Sequence, residues 1–178
     1  MLRQAQHERI VYFPFALSLS KGTNRNSIII SMYLYIFLAL IIFIIDRVTK
    51  LAALAWCAES ARIITSFLSF EVILNRGISW GMFHGASDFT FVMVSLIIAV
   101  ITVVLCGYAY HNYKHDNSII PEVCIIAGSV SNLVDRVVYG GVIDFIILSY
   151  GSLSWPVFNI ADAVIVLGVG MLLLRYEK

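Results

Sequence analysis

Four long apolar runs, at residues 27–45, 89–110, 119–138 and 158–174, are separated by shorter polar stretches. Each is close to the length a helix needs to cross about 30 Å of hydrocarbon, so the pattern predicts four transmembrane helices. The third run is the least apolar. It carries Glu122, Asn132, Asp135 and Arg136 and is expected to face other helices or water instead of lipid. Between the first two runs, SFEVILNRG alternates Phe70, Val72 and Leu74 against Ser69, Glu71 and Ile73, the period of a half-exposed strand. Gly77, Gly81 and Gly85 follow, where tight turns and close backbone approach are possible. Between the last two runs, VVYGGVIDFIILSYGSLSWP mixes glycine with aromatic residues, and Tyr150 and Trp155 suit the headgroup level. Residues 1–26 show neither helical period nor a cleavage site and are expected to be a disordered extension; residues 27–178 are expected to form one domain. The fold class read from the pattern is an all-α membrane protein, four transmembrane helices with a small extracytoplasmic β element over the outer rim.

Composition supports the membrane assignment. Of 178 residues, 60% are hydrophobic and 13% charged, and the mean hydropathy is +0.89, values foreign to a soluble domain. The net charge is +1 and the basic residues form no block, which argues against a nucleic-acid partner. Three cysteines, Cys57, Cys106 and Cys124, give neither a disulfide framework nor zinc spacing, so no metal or cofactor is expected. With the N-terminus inside, seven basic residues flank the inner side and five the outer, which places both termini in the cytoplasm.

Charged groups at membrane depth cost about 2.5–3.5 kcal/mol each even on the lenient insertion scale, so they need a reason. On the third helix Gly128, Asn132, Asp135 and Arg136 fall on one stripe, and on the fourth Asn159 and Asp162 share a face. Antiparallel packing is expected to set Asp135 and Asp162 at similar depth near the outer rim. Two close carboxylates in a partly dry site hold one proton between them, the requirement for aspartic peptidase chemistry. The ionised member draws a proton from a water that attacks a carbonyl, and the protonated member donates toward the carbonyl oxygen. Asp46 and Lys50, at i and i+4, read equally as an interfacial ion pair. Asn75 alone reads as a turn residue, and Glu122, after Pro121, as a carboxylate meeting the helix dipole.

Taken in order, DRVTK at 46–50, NRGISWGMF at 75–83, GSVSNLVDR at 128–136, VIDF at 142–145 and FNIAD at 158–162 resemble the motif set of the lipoprotein signal peptidases, signal peptidase II. The resemblance implies an aspartic endopeptidase of the bacterial cytoplasmic membrane, active near the outer face. Its substrates would be diacylglyceryl-modified prolipoproteins, cut immediately before the lipid-modified cysteine, with membrane lipids as its other partners and a monomer as its state. It carries the catalytic pair onto Asp135 and Asp162. Supporting roles fall on Asp46, Lys50, Asn75, Gly77, Asn132, Arg136, Asp144, Asn159 and Ala161, with Asp144 expected to position Arg136. Arg47 stands where Gln is common in the family, and Ile78 and Ser79 where small residues are usual.

Two other chemistries use the same residues. A small proton- or ion-coupled carrier would employ the intramembrane acids as relays. Alternatively, Lys50 would activate Ser129, Ser131 or Ser79 as a nucleophile, which requires hydrogen-bond contact between hydroxyl and amine.

Overall fold

The computed structural model describes residues 25–77, 88–115 and 117–176; most of the N-terminal extension, and Ile78, Ser79, Gly81 and Gly85, lie outside the described residues. The elements are α1 (Arg25–Cys57), β1 (Arg62–Ile63), β2 (Leu68–Asn75), α2 (Asp88–Lys114), α3 (Ile120–Tyr139), β3 (Val142–Tyr150), β4 (Leu153–Ser154) and α4 (Ile160–Tyr176). Four helices therefore coincide with the four apolar runs. The exception in length is α1, which continues past Ile45 to Cys57 because DRVTKLAALAWC contains no Gly or Pro and its Ala and Leu favour helix. Asp46 and Lys50 thus lie within a helix and not at its end.

Two helices, α1 and α2, are long and apolar enough to cross a membrane. They leave Tyr33, Phe37, Ile44 and Val48, and Val100, Val103 and Val104, exposed. Such a continuous apolar exterior needs a nonaqueous surround. The polar residues go inward instead: α3 packs against the other three helices and buries Gly128, Ser131, Asn132, Asp135 and Arg136.

Close approach of α3 and α4 depends on two glycines. A Cβ on Gly128 would lie 2.8 Å from the Ala161 carbonyl oxygen and 2.8 Å from Ile165 Cγ1, and one on Gly168 would lie 2.8 Å from the Pro121 carbonyl oxygen. Small residues at such crossings let backbones touch, which is how membrane helices gain packing energy. Gly128→Leu is expected to destabilise the protein by about 1–3 kcal/mol or more by overpacking, and to lower activity by separating Asn132 from α4. Gly107→Ala, in α2 with nothing near the added methyl, should leave both unchanged or raise stability slightly. Thermal unfolding in detergent and a cleavage assay on both variants check this.

The sheet is antiparallel in the order β1-β2-β3-β4. Strand β2 falls where the alternation placed it, but β3 corrects the sequence reading. VIDFIILSY is apolar but for Asp144 and Ser149 and shows no alternation, so periodicity alone does not mark it as a strand. Helix α3 ends on Gly140 in the left-handed region at φ +69°. At Gly141 a Cβ would meet Leu74 Cγ at 2.8 Å. The chain can then turn back along β2, pairing Asn75 with Val142 and Leu68 with Leu148. A bulge between Phe70 and Ile73 shifts that register. Beyond it the expected alternation inverts, so Leu74 is exposed and Asn75 is buried. Re-aiming a side chain is what bulges do, and here the one re-aimed is a site residue.

Phe145 of β3 packs with Ala53 and Cys57 of α1, seating the sheet on the C-terminal turns of that helix. At the opposite end Glu122 is fully buried and accepts from Arg175 at 2.8 and 3.1 Å and from Asn112 at 2.8 Å. Its role is to tie α2, α3 and α4 together, beyond the dipole contact expected from Pro121. Ile42, Cys124 and Ala127 form an apolar layer between the two polar ends.

Candidate active site

The C-terminal halves of α1 and α3, the first turn of α4 and the strand β3 bring four carboxylates together, and their partners divide them into two kinds. Asp46 and Asp135 are held by cations. Lys50 Nζ lies 2.7 Å from Asp46 Oδ2 and 2.7 Å from Asp135 Oδ2, and Arg47 Nη1 donates to Asp135 Oδ1 at 2.5 Å. Asp135 also accepts from the Ile143 amide at 3.3 Å, and Asp46 from Ser131 Oγ at 2.7 Å and the Ala161 amide at 2.8 Å. Both carboxylates are fully buried. Every oxygen of these two carboxylates faces a donor, and the cations Lys50 and Arg47 reach both of them.

Asp144 and Asp162 are held by amides. Asn75 Nδ2 donates to Asp144 Oδ2 at 2.9 Å and Asn159 Nδ2 to Asp144 Oδ1 at 2.6 Å. Asn132 Nδ2 donates to Asp162 Oδ1 at 2.8 Å. Asn159 and Asp162 also form a reciprocal cap on α4: the Asp162 amide donates to Asn159 Oδ1 at 2.9 Å and the Asn159 amide to Asp162 Oδ2 at 3.3 Å. That N-x-x-D arrangement satisfies two otherwise orphaned helix amides, which is why FNIAD starts a helix here. Asn159 therefore touches both amide-held carboxylates, and Asp162, only partly buried, is the most open of the four.

Burial pushes the Asp144 carboxyl up, and the neighbouring Asp162 charge adds to it; the bonds from Asn75 and Asn159 and the charge of Lys50 oppose the rise, which ends at about 7. A carboxyl at that value exchanges its proton readily near neutrality, as a general acid or base must. The folded protein keeps a proton on Asp144 that the unfolded chain releases above its ordinary value of 3.8. The group's contribution to stability thus falls as pH rises from there to about 7 and is level beyond. Asp144→Asn should remove that slope, so its Tm advantage over wild type grows from pH 5 to pH 8, as thermal melts across about pH 5–8 would show. A constant difference would assign no titration to Asp144.

Every supporting residue expected from the sequence falls in this cluster, but not always in the expected role. Asp144 lies in β3, and the polar atoms of Arg136 do not hydrogen-bond to it. Arg136 instead donates to the Gly77 carbonyl at 2.8 Å and the Asn132 carbonyl at 3.4 Å. Asn75 closes its own turn by accepting from the Gly77 amide at 2.9 Å. Gly77 and Ala161 contribute backbone groups, and Asn132 links Lys50, at 2.8 Å from its Oδ1, to Asp162. Asp162 bonds to asparagines, and no hydrogen bond joins it to Asp135 among the described residues. Arg47 and Ser131 complete the cluster, and the supporting set expected from the sequence did not include them. A basic residue next to Asp46 and a serine next to Asn132 were the only signals. Ser131 donates to Asp46, and Lys50 meets two carboxylates and Asn132, so the hydroxyl-amine contact of serine and lysine catalysis does not occur there.

A family model described as signal peptidase (SPase) II matches residues 38–177. The chain is 38% identical over 132 residues to a lipoprotein signal peptidase of Anaplasma marginale (strain Florida), covering 72% of this chain and 75% of that one. It is 34% identical over 145 residues to one of Aquifex aeolicus, covering 81% and 86%. A solved structure described as a bacterial membrane enzyme superposes with a TM-score of 0.64 at 26% identity, over 81% of this chain and 87% of that one. A second, described likewise, gives 0.63 at 25% identity over 81% and 92%.

Proposed function

The chain belongs to the signal peptidase II family, and we propose that it is an aspartic endopeptidase in which Asp144 and Asp162 form the catalytic pair. The observation that carries this reading is the division of the carboxylates by partner. A carboxylate in two ion pairs, as Asp135 is, cannot lend its oxygens to water and carbonyl in turn, whereas amide-held carboxylates can. Asp162 keeps the place expected from the sequence, and Asp144 takes the one expected for Asp135.

In this mechanism the ionised member of the pair accepts a proton from water, whose oxygen attacks the scissile carbonyl carbon. The protonated member donates to the carbonyl oxygen, and a proton then passes to the leaving amine as the C–N bond breaks. Asn159, bonded to both carboxylates, fixes their mutual orientation. Asn132 and Asn75 hold the outer oxygens. No metal or cofactor enters these steps.

The substrate is a diacylglyceryl-modified prolipoprotein, cut immediately before the modified cysteine, in keeping with the lipoprotein signal peptidases this chain matches. The four helices cross the bacterial cytoplasmic membrane with both termini inside, and the sheet lies over the outer rim beside the site. The carrier reading loses its path, because Ile42, Cys124 and Ala127 separate Glu122 from the outer acids. Incubation of the purified protein with a lipid-modified precursor should release the signal peptide; unprocessed precursor would remove the reading.

A further inference from the structure

We propose that Arg47 is a positioning residue for Asp162, acting through two buried carboxylates and Lys50 without touching the reacting groups. The inference rests on the catalytic assignment above. Arg47 follows Asp46 on α1, and its side chain is 19% exposed. Its Nη1 donates to Asp135 Oδ1 at 2.5 Å, its Nη2 to Asp46 Oδ2 at 3.3 Å and its Nε to Ser131 Oγ at 3.1 Å. Ser131 Oγ in turn donates a hydrogen bond to Asp46 Oδ2 at 2.7 Å. Phe43 lies under the guanidinium, 5.9 Å from ring centre to Cζ.

Lys50 closes the arrangement from the other side, since its ammonium reaches the same two carboxylates. Asp46, Arg47, Asp135 and Lys50 are a ring of alternating charge in which each anion meets both cations. Its side-chain link toward the site is the third bond of Lys50, to Asn132 Oδ1 at 2.8 Å, beside the backbone amides of Ile143 and Ala161 on its carboxylates. That bond, the shorter of two on this oxygen beside one from Asn159 Nδ2 at 3.2 Å, sets which end of the Asn132 amide faces Lys50, and hence that Nδ2 faces Asp162 Oδ1 at 2.8 Å.

Without Arg47 the ring holds two anions and one cation. Lys50 alone must then answer both carboxylates in a buried setting, and an unpaired charge there is far costlier than a lost neutral bond. The neutral acceptor, Asn132 Oδ1, is the contact that yields. Asn132 Oδ1 is then held by Asn159 Nδ2 alone, at 3.2 Å, and the Asn132 donation to Asp162 is loosened. Arg47 has no bond to Asp144, Asn159 or Asp162, so substrate binding should not register its loss.

The test uses the full-length protein in lipid or detergent with a diacylglyceryl-modified prolipoprotein, reading kcat and KM per folded molecule. Arg47→Met is expected to lower kcat about tenfold or more with KM within about twofold, and Arg47→Lys, which keeps the charge, to return kcat to within about threefold of wild type. Wild-type kcat in Arg47→Met, a change carried by KM, or Arg47→Lys as poor as Arg47→Met would each overturn the proposal. If Arg47→Met does not fold, Arg47→Leu replaces it under the same criteria. Asp144→Asn is run alongside. Were it active, the catalytic assignment would have failed; were it inactive while Arg47→Met matched wild type, only the role of Arg47 would have failed.

Discussion

Asp144→Asn and Asp162→Asn are each expected to reduce cleavage of a lipid-modified precursor by about a thousandfold or more, because a catalytic pair acts as a unit and either half alone does little. The substitutions are nearly isosteric, so folding should survive them. For Asp144, stability should even rise at neutral pH: a buried carboxyl that resists ionisation, with its carboxyl pushed to about 7 beside the Asp162 charge, is replaced by a neutral group. Folded, unreactive protein is the expected phenotype. Replacement of Asp135 should look different, because it leaves Arg47 and Lys50 with one carboxylate between them and weakens the fold.

Lys50→Met is expected to give the largest loss of stability. The ammonium is 1% exposed and lies 2.7 Å from two fully buried carboxylates. Removing one partner of a buried ion pair typically costs about 3–5 kcal/mol, much of it from the charge left behind. Arg47 is still there to compensate Asp135, so the figure for this ring should fall at the lower end of about 3–5 kcal/mol. Activity should fall with it, because Asn132 loses the contact that orients it toward Asp162. Denaturation in mixed micelles measures the first effect and single-turnover cleavage the second. A stable Lys50→Met protein with full activity would contradict both the ring and its link to the site.

The helices were legible because their apolar runs are long and bounded, and the stripe of Gly128, Asn132, Asp135 and Arg136 followed from helical spacing. What spacing conveys is neighbours on one element. It placed Asp135 beside Asn132 and Arg136 but gave no sign that α1 would deliver two cations to its oxygens. Nor could it show that a strand would bring Asp144 across to Asn159. Strand β3 was hidden by its own composition, since a glycine pair followed by a run that is apolar but for Asp144 and Ser149 has no period to read. The bulge in β2 is the subtler case. Alternation through Phe70, Val72 and Leu74 is correct up to the extra residue and inverted after it, and that inversion carries Asn75 to Asp144. Charge-counting over the four acids and the nearby Arg47 and Lys50 was possible from sequence, but which acid met which cation was not.

The most direct measurement is single-turnover cleavage of a diacylglyceryl-modified prolipoprotein by wild type and by the Asp144→Asn, Asp162→Asn and Asp135→Asn variants, each with a thermal melt. Asp144→Asn and Asp162→Asn should release no signal peptide while folding at least as stably as wild type, and Asp135→Asn should lose activity in step with a lowered Tm. An Asp144→Asn protein that cleaves at the wild-type rate, or an Asp135→Asn protein of undiminished Tm that does not cleave while Asp144→Asn does, would contradict the account.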